Sequence, residues 1–327
     1  MSFWNGRKVL VTGGNGFIGS HLAELLVAEG SIVTTTASSE KTRFRFLDAV
    51  RGDIRTVVGD LADPRFAETA VKGQHVVMHL AARVGGIEYN IRHPGSIFHD
   101  NLTVFLSVME AARRAEVELF LVTSSACVYP RFCTIPTPEE EGFKDRPEPT
   151  NEGYGWAKRM EEFLGEAYSR EHGMNVRIAR PYNAYGPRDN FDPSSSHVIP
   201  ALIHRVMQGE DPLIVWGDGS ASRSFLYVTD FARGLMAVAE KSPQVPAINV
   251  GASEEITMRQ LAEMLVRLSG KQTAIHFDTS KPAGQPRRCC DTRLAERLLG
   301  FRAEVPLELG LKQTLTWYSK HAASRSS

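Results

Sequence analysis

The chain has 327 residues, enough for one large core or two unequal domains. Its 38 Lys+Arg balance 38 Asp+Glu, so no net charge draws it to nucleic acid or a membrane surface, and any anionic ligand has to be held by local groups. No stretch approaches the ~18 apolar residues of a membrane span. The N-terminal run Met1 to Arg7 lacks an apolar signal core, and Cys127, Cys133, Cys289 and Cys290 show no metal-ligand spacing with histidine. These features predict free thiols in a reducing cytoplasm and no metal site.

In chain order, Lys8 to Val11 reads as a first strand and Ser20 to Glu29 as a helix with Leu22, Leu25 and Leu26 on one side. Strands follow at Ile32 to Thr36, Thr56 to Val58, His75 to Leu80 and Leu119 to Thr123, with long helical stretches at Phe98 to Arg114 and Tyr154 to His172. Val176 to Arg180 is a sixth strand. The β–α alternation predicts an α/β fold, a Rossmann-like doubly wound parallel sheet covered on both faces. After Pro181 the pattern changes. A segment rich in Pro, Gly, Ser and Asn runs to Arg223, then strand-like Ser224 to Val228, helix-like Phe231 to Glu240, and two further helical patterns around Ala274 to Phe277. This predicts a large nucleotide domain over residues 1–181, regaining residues 226–250, and a smaller discontinuous α/β cap from residues 182–225 and 251–327. The tail Ser324 to Ser327 is expected to be disordered.

Gly13, Gly16 and Gly19 form G-x-x-G-x-x-G between the first strand and the first helix. Glycine lets the backbone turn sharply against a pyrophosphate, and the helix end offers free N–H groups and a positive dipole. Asp60 and Leu61, after the third strand, are placed to bracket an adenine. Leu80, Ala81 and Ala82 end the fourth strand with small residues where a cofactor backbone passes. The place of the acid that reads a ribose 2′-OH in NAD binders holds Ala37, Ser38 and Ser39, with Lys41 and Arg43 just beyond. A missing carboxylate beside cations suits a 2′-phosphate, so NADP(H) is favoured and NAD stays possible.

Tyr154 and Lys158 lie four residues apart, on one face of a helix. A phenol has an ordinary pKa of about 10, and a neighbouring ammonium is expected to move it toward working pH. Ser125, just beyond the fifth strand, can bond the same substrate oxygen. The set predicts a Tyr that exchanges a proton with a carbonyl or hydroxyl beside a nicotinamide.

These motifs resemble the extended short-chain dehydrogenase/reductases acting on nucleotide sugars, the NAD-dependent epimerase/dehydratase family. Within it the resemblance is closest to the GDP-L-fucose synthases, which are GDP-4-keto-6-deoxy-mannose 3,5-epimerase/4-reductases. The similarity rests on Ala82 to Ile87, Cys127 to Pro130, Glu148 to Glu152, Tyr154 with Lys158, Tyr185 to Pro187, Asp189 to Phe191, Ser196 to Ala201, Lys281-Pro282 and Pro286-Arg287. Three departures stand out: Ala126 within Ser124 to Cys127, which looks like GDP-mannose 3,5-epimerases, Asn15, and Phe17-Ile18 in the glycine turn.

The resemblance implies that Cys127 and His197 are the epimerase base and acid, beside Ser125, Tyr154 and Lys158. It implies cofactor contacts at Gly13, Asn15, Gly16, Phe17 and Ile18, at Ser38, Arg43, Asp60 and Leu61, and at Leu80, Ala81 and Ala82. Tyr154, Lys158, Pro181 and His197 complete that set. Substrate contacts are implied at Val84, Gly85, Ser125, Asn183, Arg205, Trp216, Arg223 and Lys281, where an arginine fork suits a diphosphate. The expected ligand is a nucleotide sugar, GDP-linked by resemblance, in a cytoplasmic homodimer. The alternatives are an NAD-dependent NDP-sugar epimerase or dehydratase, GDP-mannose 3,5-epimerase among them, and, in another class, a nucleotide-sensing regulator without turnover. A regulator would be expected to lose Tyr154, Lys158 or Ser125, and all three are present.

Overall fold

The structure is a computed structural model and describes residues 2–193, 195–281 and 285–323. Pro282 and the tail from Ser324 lie outside the described residues. The first half runs β1 (Lys8–Thr12), α1 (Phe17–Ala28), β2 (Ile32–Ala37), β3 (Ile54–Val58), α2 (Pro64–Val71), β4 (Val76–His79), α3 (Ile87–Arg92), α4 (Pro94–Arg114), β5 (Leu119–Thr123), α5 (Glu152–His172) and β6 (Val176–Pro181). The second half runs β7 (Ala184–Tyr185), α6 (Val198–Met207), β8 (Leu213–Trp216), β9 (Ser222–Ser224), β10 (Leu226–Tyr227), α7 (Val228–Lys241), β11 (Ile248–Val250), β12 (Glu255–Thr257), α8 (Met258–Ser269), β13 (Ile275–Asp278), β14 (Arg287–Arg288), α9 (Arg293–Leu299) and α10 (Leu307–Ala323).

Seven strands form one parallel sheet in the order β11-β6-β5-β4-β1-β2-β3. Val9 and Val11 of β1 face Leu22 and Leu26 of α1 and Leu235 of α7, while Leu10 faces Phe105 of α4 and Phe120 of β5. Burial on both faces is why the strands are continuous apolar runs rather than alternating ones. Each fully buried Leu, Val or Phe contributes about 1.5–3 kcal/mol relative to exposure. The strand order reverses between β1 and β4, which opens the crevice at the carboxyl edge of the sheet where ligands bind in such folds.

A second core joins Leu202, Ile203 and Val206 of α6, Leu213 and Val215 of β8, Leu261 and Leu265 of α8, and Leu311 and Leu315 of α10. The single strand predicted at Ser224 to Val228 divides. β9 pairs antiparallel with β12, β10 lies parallel to β7, and Val228 already opens α7. The last stretch holds three helices, α8 to α10, where two patterns were expected.

Candidate active site

The glycine turn is held by its neighbours on both sides. Thr12 Oγ1 accepts from the backbone N–H groups of Leu80 and Ala81, both at 3.0 Å, and draws the end of β4 against the turn. Gly13 has φ +66°, and a Cβ there would stand 3.2 Å from the Ala81 Cα. A Cβ on Gly19 would lie 2.3 Å from the Gly13 carbonyl oxygen. Gly16 caps α1 with no side-chain bond, and the first turn of the helix carries no acid. Its orphan N–H groups and positive end are therefore free for an anion, and the cradle fits a dinucleotide pyrophosphate. Phe17 and Ile18 pack from this turn against the second core.

The ribose side is built from the loop after β2. Asn15 Nδ2 donates to the Thr42 carbonyl at 2.7 Å and ties this loop to the glycine turn. Ser38 is exposed. Arg43 donates to the Thr56 carbonyl at 3.2 Å and Glu40 at 3.3 Å and stacks over Phe44. Asp60 is exposed and accepts from the Ala62 amide at 2.9 Å, while Leu61 is buried. Pro181 is buried at the end of β6, paired in register with Val250.

Ser125, Cys127, Tyr154 and Lys158, expected to be catalytic, come together where α5 begins. A Cβ on Gly155 would lie 2.5 Å from the Cys127 carbonyl oxygen, so the helix presses directly on the turn after β5. Ser125 heads that turn and its Oγ accepts from the Cys127 amide at 3.2 Å. Asn151 Nδ2 donates to Cys127 Sγ at 2.6 Å. Arg180, paired to Glu162 at 2.7 and 2.8 Å with both side chains buried, fixes α5 to the end of β6, and Ser124 donates to the same carboxylate. This brace holds Tyr154 and Ser125 in one frame. Sequence reasoning missed Asn151, Arg180 and Glu162. Their signals were a charge closing a buried strand and an acid one helical turn beyond Lys158.

The electrostatics of Tyr154 differ from the expectation. Its phenol makes no hydrogen bond to the protein among the described residues, which leaves it for substrate. Burial drives its pKa well above the usual phenol range, and the nearby Cys127 and Glu161 push the same way. Lys158 lies with Nζ 5.5 Å from the Tyr154 ring centroid, but it also donates to Glu161 at 2.8 Å and to the Thr123 carbonyl at 3.0 Å. The carboxylate offsets the charge that was expected to pull the phenol toward neutral pH.

His197 precedes α6 at its N-cap and remains accessible to solvent, while the surrounding protein pulls its pKa below the ordinary imidazole value. The Ser196 carbonyl oxygen stands 3.1 Å from where a Gly86 Cβ would be, so the loop carrying Val84 and Gly85 abuts the His197 loop.

The cationic positions separate into two groups. Arg223 on β9 and Arg288 on β14 are register partners, and neither has a carboxylate within ion-pair distance among the described residues. Burial, then the Arg288 charge, lower the Arg223 pKa to about 10. Two guanidiniums side by side, with Glu148 and Glu255 acting on Arg223 only from beyond ion-pair distance, suit a diphosphate. Asn183 lies near them through a 2.8 Å bond from Nδ2 to the Ser224 carbonyl. Arg288 is a further residue that sequence reasoning missed. Arg205 is not brought to this cluster: its fork is occupied by Glu210 and by the Ile214 carbonyl at 2.6 Å, a structural pairing on the second core. Trp216 and Lys281 are exposed beyond it.

A proton donor lodged beside a dinucleotide cradle is the working arrangement of NAD(P)-dependent oxidoreductases and epimerases, and the fold and cleft define that class. The chain belongs to the NAD dependent epimerase/dehydratase family, whose model matches residues 9–251. It is 35% identical to a probable GDP-L-fucose synthase 1 of Oryza sativa subsp. japonica, over 98% of this chain and 94% of that one. It is 33% identical to a dTDP-4-dehydro-6-deoxy-D-allose reductase of Streptomyces bikiniensis, over 97% of this chain and 98% of that one. Among solved structures, a GDP-L-fucose synthetase from Naegleria fowleri bound to NADP superposes with a TM-score of 0.81 at 25% identity, covering 99% of this chain and 96% of that one.

Proposed function

We propose that the protein is a nucleotide-sugar 3,5-epimerase/4-reductase acting on a GDP-linked 4-keto-6-deoxy-hexose with NADP(H). The observation that carries this reading is the meeting of Cys127 with Ser125 and Tyr154 at the start of α5, where the thiol and the phenol are close enough for charge on one to shift the pKa of the other. The similarity to GDP-L-fucose synthases supports the substrate class, and the NADP-bound relative and the Ser38 to Arg43 loop support the cofactor.

A C4 ketone acidifies the protons on C3 and C5. Cys127, as thiolate, removes each of them, and Asn151 steadies the sulfur. His197 returns a proton to the opposite face from its protonated form, which its lowered pKa makes the minor one at neutral pH. A reduced nicotinamide, held at the glycine turn, would supply the hydride for C4. Tyr154 then protonates the C4 oxygen, and Ser125 holds that oxygen by a hydrogen bond. Arg223 and Arg288 hold the diphosphate away from the reacting carbons. Residues 1–181 with 226–250 form the cofactor-binding domain, and residues 182–225 with 251–327 form the nucleotide-sugar domain. The enzyme works as a cytoplasmic homodimer through α4 and α5, where Leu106 and Phe163 are 40% and 52% exposed. Among the described residues no helix is long and apolar enough to cross a membrane.

A second reading, an NAD-dependent epimerase such as GDP-mannose 3,5-epimerase, is favoured by Ala126 between Ser125 and Cys127. Incubation with NADPH and a panel of 4-keto and 4-hydroxy nucleotide sugars separates the two. The first predicts net cofactor oxidation with a 4-keto sugar. The second predicts isomerisation without net consumption.

A further inference from the structure

Helix α5 carries four buried ionisable groups in one run, Lys158, Arg159, Glu161 and Glu162, of which Arg159 donates to the Val128 and Asp145 carbonyls. Lys158 stands beside Tyr154, and Glu162 holds Arg180. Glu161 has no part in the steps above. Its side chain is 1% exposed, and the Lys158 side chain it meets at 2.8 Å is 3% exposed. The only other hydrogen bond of Lys158 Nζ among the described residues is to the Thr123 carbonyl. A carboxylate is kept this deep only when something compensates its desolvation, and here the compensation is Lys158.

We propose that Glu161 is a positioning residue for the reaction: as counter-ion of Lys158 it cancels the ammonium's pull on the Tyr154 proton, so the phenol rests protonated, the form that donates to a carbonyl oxygen. The proposal rests on Tyr154 being the group that exchanges a proton with the C4 oxygen.

The other charges around the site leave this balance to Lys158 and Glu161. On α5, Glu162 is already neutralised by Arg180 of β6. On β4, His79 is buried against Thr12, Phe105 and Phe120, and burial lowers its pKa to about 3, so it adds no charge near neutral pH. From the turn after β5, Cys127 raises the Tyr154 pKa, in the same direction as Glu161. Burial raises the Glu161 pKa to about 6, with Lys158 opposing, so the carboxylate is ionised above that pH. An opposite charge within ~4–6 Å typically moves a pKa by about 1–3 units, so exposing the Lys158 ammonium is worth at least about one unit at Tyr154.

The test labels the tyrosines with ¹³Cζ, assigns Tyr154 by its loss in Tyr154→Phe, and titrates the cofactor-free protein by NMR. In Glu161→Gln, which keeps the shape and removes the charge, the ionised fraction of Tyr154 at a given alkaline pH should rise about tenfold, and Glu161→Asp should return it toward wild type. The pH above which ketone reduction falls, where the proton-donating phenol is lost, should move down with it. An unchanged Tyr154 titration in Glu161→Gln overturns the proposal. Should that variant not fold, the wild-type Glu161 carboxyl, labelled at ¹³Cδ and assigned by its loss in Glu161→Asp, decides: ionised at pH 7 supports the proposal, and protonated at pH 7 overturns it. Because neither titration contains substrate, its outcome is separate from whether Tyr154→Phe abolishes reduction, which tests the reading beneath it.

Discussion

Replacing Arg223 by Met keeps an apolar stem of similar length and removes the guanidinium fork. Among the described residues this fork bonds only the Ser222 carbonyl at 2.7 Å and, at the 3.5 Å limit, the Pro286 carbonyl, with no ion-paired carboxylate to release. The folded protein therefore loses little, and thermal stability should hold within about 0.5 kcal/mol or improve as repulsion from Arg288 disappears. The ligand loses charge-assisted hydrogen bonds worth about 1.5–3 kcal/mol, which is roughly a tenfold to hundredfold rise in KM. Because the diphosphate is remote from the reacting carbons, kcat should change far less. Arg288→Met should behave alike. The pair share one ligand, so the double variant should fall short of or exceed the sum of the two effects. Steady-state kinetics with the nucleotide sugar give the split, and calorimetry with GDP alone gives the binding loss without chemistry. With the Arg223 pKa lowered to about 10, GDP binding should weaken as pH rises through that value, since the deprotonated form lacks the charge. An unchanged KM in both single variants would remove the clamp from this strand pair.

Tyr154→Phe should lower ketone reduction by ~10²–10⁴ while cofactor binding, followed by fluorescence titration, persists. Near-normal turnover would contradict its role. Light scattering at micromolar concentration should show a homodimer, and Phe163→Glu should give a monomer; a wild-type monomer would contradict the use of α4 and α5 as an interface. Acid stability follows from two buried histidines. Burial lowers His21 to about 4 and His79 to about 3, from an unfolded value near 6.5. Below pH 6.5 the unfolded chain takes up protons that the folded chain refuses, so stability falls by up to about 1.4 kcal/mol per pH unit for each histidine. Asp189 and Glu161, raised by burial to about 7 and about 6, act in the opposite sense over the same range, so the test is a difference: from pH 7 to pH 5 the melting temperature of His79→Gln should fall less, or rise more, than that of wild type, and identical profiles would contradict this.

The sheet was legible because strands buried on both faces are continuous apolar runs, and Val9, Leu10 and Val11 are such a run. The glycine cradle was legible because Gly13 at φ +66° and Gly19 against the Gly13 carbonyl each require the absence of a side chain. Less was visible after Pro181. Helix α6 sits behind a loop rich in Pro and Ser and shows its core face only as Ile199, Leu202, Ile203 and Val206. Ser222 to Tyr227 looked like one strand because β propensity does not say which partner a residue will find, and here two sheets share the segment. The Tyr154–Lys158 spacing was plain, yet the sign of the effect on the phenol was not. That sign is set first by burial and then by Cys127 and Glu161, and these are tertiary facts. Arg205 and Arg288 differ for a similar reason: a cation's partner, the Glu210 carboxylate in one case and the Gln285 amide oxygen in the other, is set by packing rather than spacing.

The central claim, that the cleft epimerises as well as reduces, is tested most directly by solvent deuterium exchange at C3 and C5 of a GDP-linked 4-keto-6-deoxy sugar, read by NMR. Wild-type protein should exchange both positions. Cys127→Ser should abolish that exchange, since a hydroxyl is a far poorer base than a thiolate at neutral pH, while hydride transfer to C4 survives and releases a different stereoisomer. His197→Gln should impair inversion at the same carbons. Exchange at the wild-type rate in both variants would contradict the epimerase assignment and leave a 4-reductase whose Cys127 is incidental.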